Sequence, residues 1–354
     1  CAAPGGKSTQ IAEKLQGTGL LAANEIIPSR AGILSENIER MGVKNAIATN
    51  EAPEALAKRL PGFFDVVLVD APCSGEGMFR KNPEAIGEWS RENVVSCAKR
   101  QAFILEQADI MLADGGELIY STCTFSPEED EEVVSRFLDS HPYYETEELT
   151  GLPATVDRGR PEWSSSKDER VANTLRIFPH RAGGEGHFAA LLKKRGKSGA
   201  RMGKASGELP LPDKVGREFR AFVSDTLDTA PEFEGFALFG EELYAVPEYT
   251  IPSKGLKINR MGLDLGRVRS GHFIPSHAWA MSLSPDKCRS CEVKDIEEAV
   301  RFIGGESLER SVEKGWLLIT YMGYPLGWGK SDGRRIKNHY PKGLRKNLKT
   351  IQYL

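Results

Sequence analysis

The sequence predicts an α/β fold: a largely parallel sheet over the first half of the chain, then a smaller α+β region. Three observations predict it. Apolar runs at Gly19–Glu25, Asn45–Asn50, Phe64–Asp70 and Leu118–Thr124 alternate with amphipathic stretches. The stretch Val66–Arg80, VVLVDAPCSGEGMFR, passes from β-branched residues into an acid, a proline, a thiol and two glycines. It reads as a buried parallel strand at the centre of the sheet, its carboxyl end opening into a loop. Lys193–Leu209 is rich in Lys, Gly and Ser and reads as a linker that closes the first half.

The elements follow in order. Cys1-Ala-Ala-Pro-Gly-Gly-Lys7 is a loop of small residues, and Ser8–Leu15 after it has helical spacing and a Ser/Thr start suited to an N-cap. Such a loop lets a ligand approach the backbone, and helix amides favour anions. The next strand ends at Glu25, roughly twenty residues beyond the glycines, where a Rossmann-like unit places an acid for ribose hydroxyls. Pro28–Met41 reads as a helix with Ile33, Leu34 and Ile38 on one face, and Arg30 sits at its dipole-disfavoured start. Glu88–Ala113 is a long helix with Val94, Val95, Phe103, Ile104, Ala108 and Leu112 among its apolar positions and Cys97 in the core. Asp114-Gly-Gly is a turn. Ser126-Pro-Glu-Glu starts a helix, and Glu128–Glu132 reads as its solvated first turn rather than a metal site. Thr174–Phe178 and Gly186–Leu192 suit an antiparallel edge hairpin. Beyond the linker come a helix at Lys214–Leu227, strand-like runs at Phe236–Val246 and Ile251–Gly262, and a boundary near Ser282–Asp286. A short amphipathic helix at Asp295–Ile303 and two strands within Gly315–Lys330, joined at a Gly-Tyr-Pro turn, complete the chain.

Composition bounds the function. At 354 residues the chain holds two or three domains, and a net charge of −3 does not announce a nucleic-acid binder. The distribution is more telling: Lys330, Arg334, Arg335, Lys337, Lys342, Arg345, Lys346 and Lys349 face only Asp332, a tail able to meet phosphates. Six scattered cysteines do not make a disulfide framework, and no apolar run is long enough to span a membrane. A cytoplasmic setting is expected, with no membrane and no obligate protein partner. Cys288-Arg-Ser-Cys291, lacking a second pair or a nearby His, does not suffice for zinc.

The chemistry is suggested by two thiols at strand ends, Cys73 and Cys123, with Asp70 and a cofactor loop. A redox disulfide is one use of such a set, though the thioredoxin-type pair is a single CxxC; methylation of cytosine at carbon 5 is another, with a nucleophilic Cys, an acid and, where present, a second thiol or other group for release. A thiolate adding to C6 makes C5 nucleophilic toward a methyl sulfonium. An acid beside the base hydrogen-bonds N3 and the exocyclic amine, and the C5 proton must then leave with the thiol.

CAAPGGK, DAPCSGEG and YSTCTFSPEEDE, in this order and spacing, resemble the Nop/Sun family of RNA cytosine-C5 methyltransferases. Phe79–Ala85 and the carboxyl-terminal region resemble its bacterial RsmF-type ribosomal RNA branch. The resemblance is specific over residues 1 to about 195 and looser beyond. It implies a Rossmann-like class I methyltransferase sheet, here with its first strand missing, and a PUA-like carboxyl-terminal module. It implies S-adenosylmethionine as methyl donor and RNA, most readily ribosomal RNA or a small ribosomal subunit, as partner. By motif, Cys1, Ala2, Ala3, Pro4, Gly5, Gly6 and Lys7 line the methionine and sulfonium end. Glu25 takes the ribose hydroxyls, Arg30 supports the pocket, and Asp70 sits between cofactor and base. Cys123 is the nucleophile, Cys73 assists product release, and Lys7 also reaches toward the base. The expected domains are 1–195 for methyl transfer, 196–210 as linker, 211–283 as a first carboxyl-terminal domain and 284–354 as the RNA-binding module. There Trp316, Tyr321, Tyr324 and Trp328 offer stacking or core surfaces. The family carries a segment before the first motif, including a strand, and its loss leaves two unpaired sheet edges, so this stretch alone is expected to fold poorly or be inactive. The third strand ends in Thr-Asn-Glu-Ala, without the aspartate that some relatives have there, which leaves adenine recognition near Asn50 open.

Other readings are methylation of transfer RNA, a DNA cytosine methyltransferase, and a non-catalytic ribosome-assembly factor that keeps the fold. Glu92-Asn-Val94 spells a motif of the DNA class, but Thr122-Cys123 has no place in that scheme. Binding alone does not require two thiols.

Overall fold

The computed structural model describes residues 1–196, 203–204 and 211–345. Most of the expected linker, 196–210, and Lys346 and Lys349 of the basic tail lie outside the described residues. Helix α1 (Gly6–Leu15), strand β1 (Leu21–Asn24), α2 (Pro28–Arg40), β2 (Ala46–Thr49), α3 (Pro53–Arg59) and β3 (Phe64–Asp70) alternate. Then come α4 (Ala85–Glu88), α5 (Arg91–Met111), β4 (Leu112–Thr122), α6 (Glu131–Ser140), β5 (Tyr144–Thr146), β6 (Val156–Arg158), β7 (Leu175–Ile177) and β8 (His187–Lys194). After β9 (Gly203–Lys204) the chain forms α7 (Asp213–Thr226), β10 (Phe236–Phe239), β11 (Glu242–Ala245), β12 (Tyr249–Thr250), β13 (Ile258–Met261), β14 (Leu263–Arg269) and β15 (His272–Pro275). The last elements are α8 (His277–Met281), β16 (Ser290–Glu292), α9 (Ile296–Ile303), β17 (Gly315–Tyr321), β18 (Tyr324–Ser331) and β19 (Ile336–Asn338). Among the described residues no helix is long and apolar enough to cross a membrane. The chain divides into two compact units: Cys1 with 51–203 and 251–256, and 2–50 with 204–250 and 257–354.

The first unit is built on a sheet ordered β3-β4-β8-β7-β6, with β5 also on β8. Strands β3 and β4 run parallel, and β8 is antiparallel to β4 and β7. Leu105, Leu118, Tyr120, Val134, Leu138 and Phe188 fill its core. Contrary to expectation, β3 is an edge strand rather than the buried centre of the sheet, and Val66 is 51% exposed. With ladder bonds on one side only, its side chains beyond Val69 keep partial contact with solvent. The expected turn at Asp114-Gly-Gly is absorbed into β4 as an irregularity, where the register jumps from Phe64↔Leu112 to Val66↔Glu117.

Helix α5 starts at Arg91 rather than Glu88, because Ser90 Oγ accepts the Asn93 N–H at 3.1 Å. Its buried stripe is Val94, Cys97, Gln101, Leu105 and Ala108, so Cys97 lies in the core as expected while the Gln101 amide occupies a position an apolar pattern would assign elsewhere. Val95 and Phe103 are exposed instead. A larger correction concerns the acid run. Ser126 does not cap a helix; α6 begins at Glu131, and Glu129, Asp130 and Glu131 are 0% exposed rather than solvated. Arg176 of β7, itself buried, donates Nε to Glu131 Oε1 at 2.7 Å and pairs with Asp130 Oδ2 at 3.1 Å.

The second unit contains a three-stranded sheet, β1-β2-β13. The parallel strands expected in one sheet are therefore divided between two sheets, and β2 takes β13 as an antiparallel neighbour, with Met261 opposite Ile47. An open edge beside a fully buried strand is a template for such pairing. On α2 the buried residues are Ala31, Leu34 and Ile38, while Ile33 faces outward. Helix α1 is entered at Gly5, whose φ of 116° needs glycine, and Ser8 is buried inside its first turn rather than capping it. Two four-stranded sheets, β10-β11-β14-β15 and β16-β17-β18-β19, share one core that includes Phe222, Leu265, Phe273, Trp279, Leu318 and Trp328. The β17–β18 turn is Met322-Gly323, both at positive φ, one residue before the expected Gly-Tyr-Pro. Trp328 is core, Trp316 is covered by Lys330 Nζ at 5.2 Å from the ring centre, and Tyr324 is 74% exposed.

The buried charges give a stability prediction. In Arg176→Met, two buried carboxylates lose their counter-charge, and unfolding free energy falls by about 3–5 kcal/mol. Burial already holds Asp130 above the usual carboxylate range. The folded state therefore binds more protons than the unfolded one, and stability falls as pH rises. Urea unfolding of the variant is expected to show a smaller deficit at pH 5 than at pH 8.

Candidate active site

The expected site residues fall in two groups, one in each compact unit. In the first unit, β3 and β4 are hydrogen-bonded parallel neighbours, with Asp70 opposite Ser121. Their carboxyl ends release the chain at adjacent points, which is why Cys73 and Cys123 meet: Sγ lies 3.3 Å from Sγ, and the Cys123 N–H donates to Cys73 Sγ at 3.4 Å. Both thiols are partly exposed, and among the described residues no disulfide forms. The contact with Cys123, then burial, pushes the Cys73 thiol far above its ordinary range, so Cys73 holds its proton against its neighbour. Asp70 Oδ1 accepts from Ser121 Oγ at 3.0 Å, which fixes the carboxyl at the end of β3.

Several residues that the motif reading did not single out hold this pair. Glu76 accepts the Phe125 N–H at 2.8 Å, Thr124 Oγ1–H at 2.6 Å and Trp89 Nε1–H at 2.6 Å. It thereby ties the loop after Cys73 to the residues after Cys123. Gly77 N–H donates to the Cys123 carbonyl at 2.9 Å, and Gly186 N–H donates to the Gly77 carbonyl at 3.1 Å. Ser74 Oγ meets Thr124 Oγ1 at 2.9 Å. Glu76, Gly77, Ser74 and Thr124 lie inside the two motifs and were within reach of a reading that asked what holds each thiol.

In the second unit the loop before α1 is braced from behind. Glu25, 1% exposed, accepts the Ala3 N–H at 3.4 Å and the Ile27 N–H at 3.1 Å. Arg30 Nη2 donates to the Ala3 carbonyl at 2.8 Å, and Asn37 Nδ2 donates to the Pro4 carbonyl at 2.8 Å. Asn50 Nδ2 donates to the carbonyls of Glu25 and Ile26 at 2.7 and 2.9 Å. Four polar side chains thus spend hydrogen bonds on the backbone of one small-residue loop and one strand end. A Cβ at Gly5 would come 3.2 Å from Leu34, whereas one at Gly6 would meet nothing within 4 Å. The loop is packed on one side and open on the other. Lys7 lies in the first turn of α1. Among the described residues no cluster of metal-ligating side chains occurs.

Comparison with known proteins supplies the family. A model described as 16S rRNA methyltransferase RsmB/F matches residues 1–193. A model of the first C-terminal domain of RsmF rRNA methyltransferase matches 221–283, and one of the methyltransferase RsmF PUA domain matches 294–346. The chain is similar to the ribosomal RNA small subunit methyltransferase F of Aeromonas hydrophila, 33% identical and covering 97% of this chain and 72% of that protein. The protein of the same name from Vibrio vulnificus is 33% identical over the same shares. Among solved structures, NSun6 from Pyrococcus horikoshii with SFG is 29% identical with a TM-score of 0.46, covering 56% of this chain and 47% of that one.

Gly77 offers a test of the geometry. A Cβ there would lie 2.6 Å from the Gly186 carbonyl oxygen and 2.8 Å from that of Cys123, both backbone atoms. Gly77→Ala is expected to destabilise the unit by about 1–3 kcal/mol. It is also expected to change the alkylation rate of Cys123, read by mass spectrometry after timed iodoacetamide.

Proposed function

The chain belongs to the 16S rRNA methyltransferase RsmB/F family, and on that premise we propose that it methylates carbon 5 of a cytosine in small-subunit ribosomal RNA through a covalent adduct. As a family member it is an S-adenosylmethionine-dependent ribosomal RNA methyltransferase. The observation that carries the C5 reading is the pair of thiols 3.3 Å apart at the ends of neighbouring parallel strands.

The residues present fit S-adenosylmethionine. The open side of the Gly5-Gly6 loop leaves room for a ligand against backbone, and the Glu25 oxygens keep acceptor capacity for a ribose diol beyond their two N–H bonds. Cys1–Lys7 would line the methionine and sulfonium end, with Arg30 holding the loop through Ala3. When bound, the cofactor supplies an electrophilic methyl sulfonium.

The side chains divide the remaining work. Cys123, as thiolate, adds to C6, and the C5=C6 electron pair becomes available at C5. Asp70, oriented by Ser121, hydrogen-bonds N3 and the amine as charge develops there. C5 takes the methyl group. Before the reaction Cys73 keeps a proton because the neighbouring sulfur accepts it. Once that sulfur is bonded to C6 it accepts poorly, so Cys73 can lose its proton to solvent and act as base. The C5 proton then moves to Cys73, the C5–H electrons re-form C5=C6, and the C6–S bond breaks to return Cys123. Lys7 is the further residue proposed to serve the base. Residues 1–195 carry this chemistry. The PUA-like 284–354 holds RNA, whose target base must be unpaired or flipped for C5 and C6 to be reached, and 211–283 is the first carboxyl-terminal domain between them. A reducing cytoplasmic setting keeps both thiols available.

The test uses the protein, Cys73→Ala and Cys123→Ala with small-subunit RNA and S-adenosylmethionine. Expected are 5-methylcytosine from the parent, a denaturant-resistant RNA adduct from Cys73→Ala, and neither from Cys123→Ala. Methylation by Cys123→Ala would overturn the nucleophile assignment.

A further inference from the structure

The one acid of the buried run that bonds to the loop carrying Cys73 has no part in the chemistry above. Glu129 is 0% exposed and does not pair with Arg176. Its Oε2 accepts the Ser74 N–H at 3.1 Å and Gln101 Nε2–H at 2.7 Å, and Oε1 accepts the Ser74 hydroxyl. Gln101, also 0% exposed, donates from the same Nε2 to the Pro72 carbonyl at 3.0 Å. The segment Pro72-Cys73-Ser74 is therefore gripped on both flanks of the thiol, directly at Ser74 and through Gln101 at Pro72. Cys123 is held differently. It follows β4 directly, its carbonyl takes Gly77 N–H, and its neighbour Thr124 lies 3.5 Å from Glu129 Oε1. Burying a carboxylate is costly unless bonds such as these offset it.

We propose that Glu129, acting with Gln101, is the positioning residue that sets Cys73 for product release, and that it has no part in attack by Cys123. This rests on the covalent C5 reading. Loss of the grip lets the Cys73 loop drift while the end of β4 stays in place. The adduct then forms normally and resolves slowly. A misplacement of about 1 Å is enough to slow such a step on the order of 10²-fold.

The experiment measures trapped RNA adduct and 5-methylcytosine turnover in the same reactions for the parent protein, Cys73→Ala, Glu129→Ala, Glu129→Gln and Gln101→Met. Thermal melts identify the folded variants. Glu129→Ala is expected to accumulate adduct as turnover falls, following Cys73→Ala. Glu129→Gln, which keeps an acceptor for Ser74, is expected to recover part of the turnover. If Glu129→Ala does not fold, Gln101→Met, which removes the bonds to the Pro72 carbonyl and to Glu129 Oε2 but leaves Ser74 on Glu129, is expected to show the same accumulation. A parallel fall of adduct formation and turnover in the folded variants, or no accumulation while Cys73→Ala accumulates, overturns the proposal. No accumulation in Cys73→Ala itself refutes the release reading beneath it.

Discussion

A buried carboxylate between two strand-end loops is the constraint on which the thiol pair depends. Parallel pairing of β3 and β4 brings the chain ends near one another, but strand pairing alone fixes backbone positions only up to Asp70 and Thr122. Beyond them the chain is loop. The 3.3 Å sulfur contact is maintained by side chains: Glu129 on Ser74 and Gln101, Ser74 on Thr124, and Glu76 on Thr124 and Phe125. In a low-dielectric interior each of these bonds is strong, and each would be expensive to leave unmade. The two loops are therefore joined by polar bonds, with Glu129 and Gln101 bonded chiefly to the Pro72–Ser74 side.

The acid run shows how neighbours in sequence are put to different uses. Asp130 and Glu131 pair with Arg176, and Glu131 also accepts the Arg160 N–H at 3.2 Å. These contacts anchor the start of α6 to β7. Glu129 turns the other way, toward the thiols, while Tyr120 OH donates to its carbonyl at 2.6 Å. One short segment thus joins the hairpin side of the sheet to the loops at the ends of β3 and β4.

The second unit applies the same logic to backbone instead of sulfur. The loop before α1 has almost no side chains of its own, so its shape is imposed by Glu25, Arg30 and Asn37, all bonded to main-chain atoms. Braced small-residue backbone with an open face is a surface against which a ligand can be placed without first ordering the loop. Farther along, the aromatic core under Trp279 and Trp328 ties the two carboxyl-terminal sheets together. That core explains why Trp328 is not available for stacking while Tyr324 remains exposed.

By itself the sequence determined the alternation of strands and helices, the residues at each strand end, and the two thiols that the fold brings together. Those features are local: apolar period, glycine and proline punctuation, and motif spacing act within a few residues. The tertiary structure decided the rest. It placed β3 at a sheet edge, paired β13 with β2, and buried Glu129, Asp130 and Glu131 where a run of acids resembles a solvated helix start. Burial of those acids requires Arg176, 45 residues beyond Glu131, and Ser74, 55 residues before Glu129. An acid's environment is set by partners distant in the chain, and local pattern carries no trace of them.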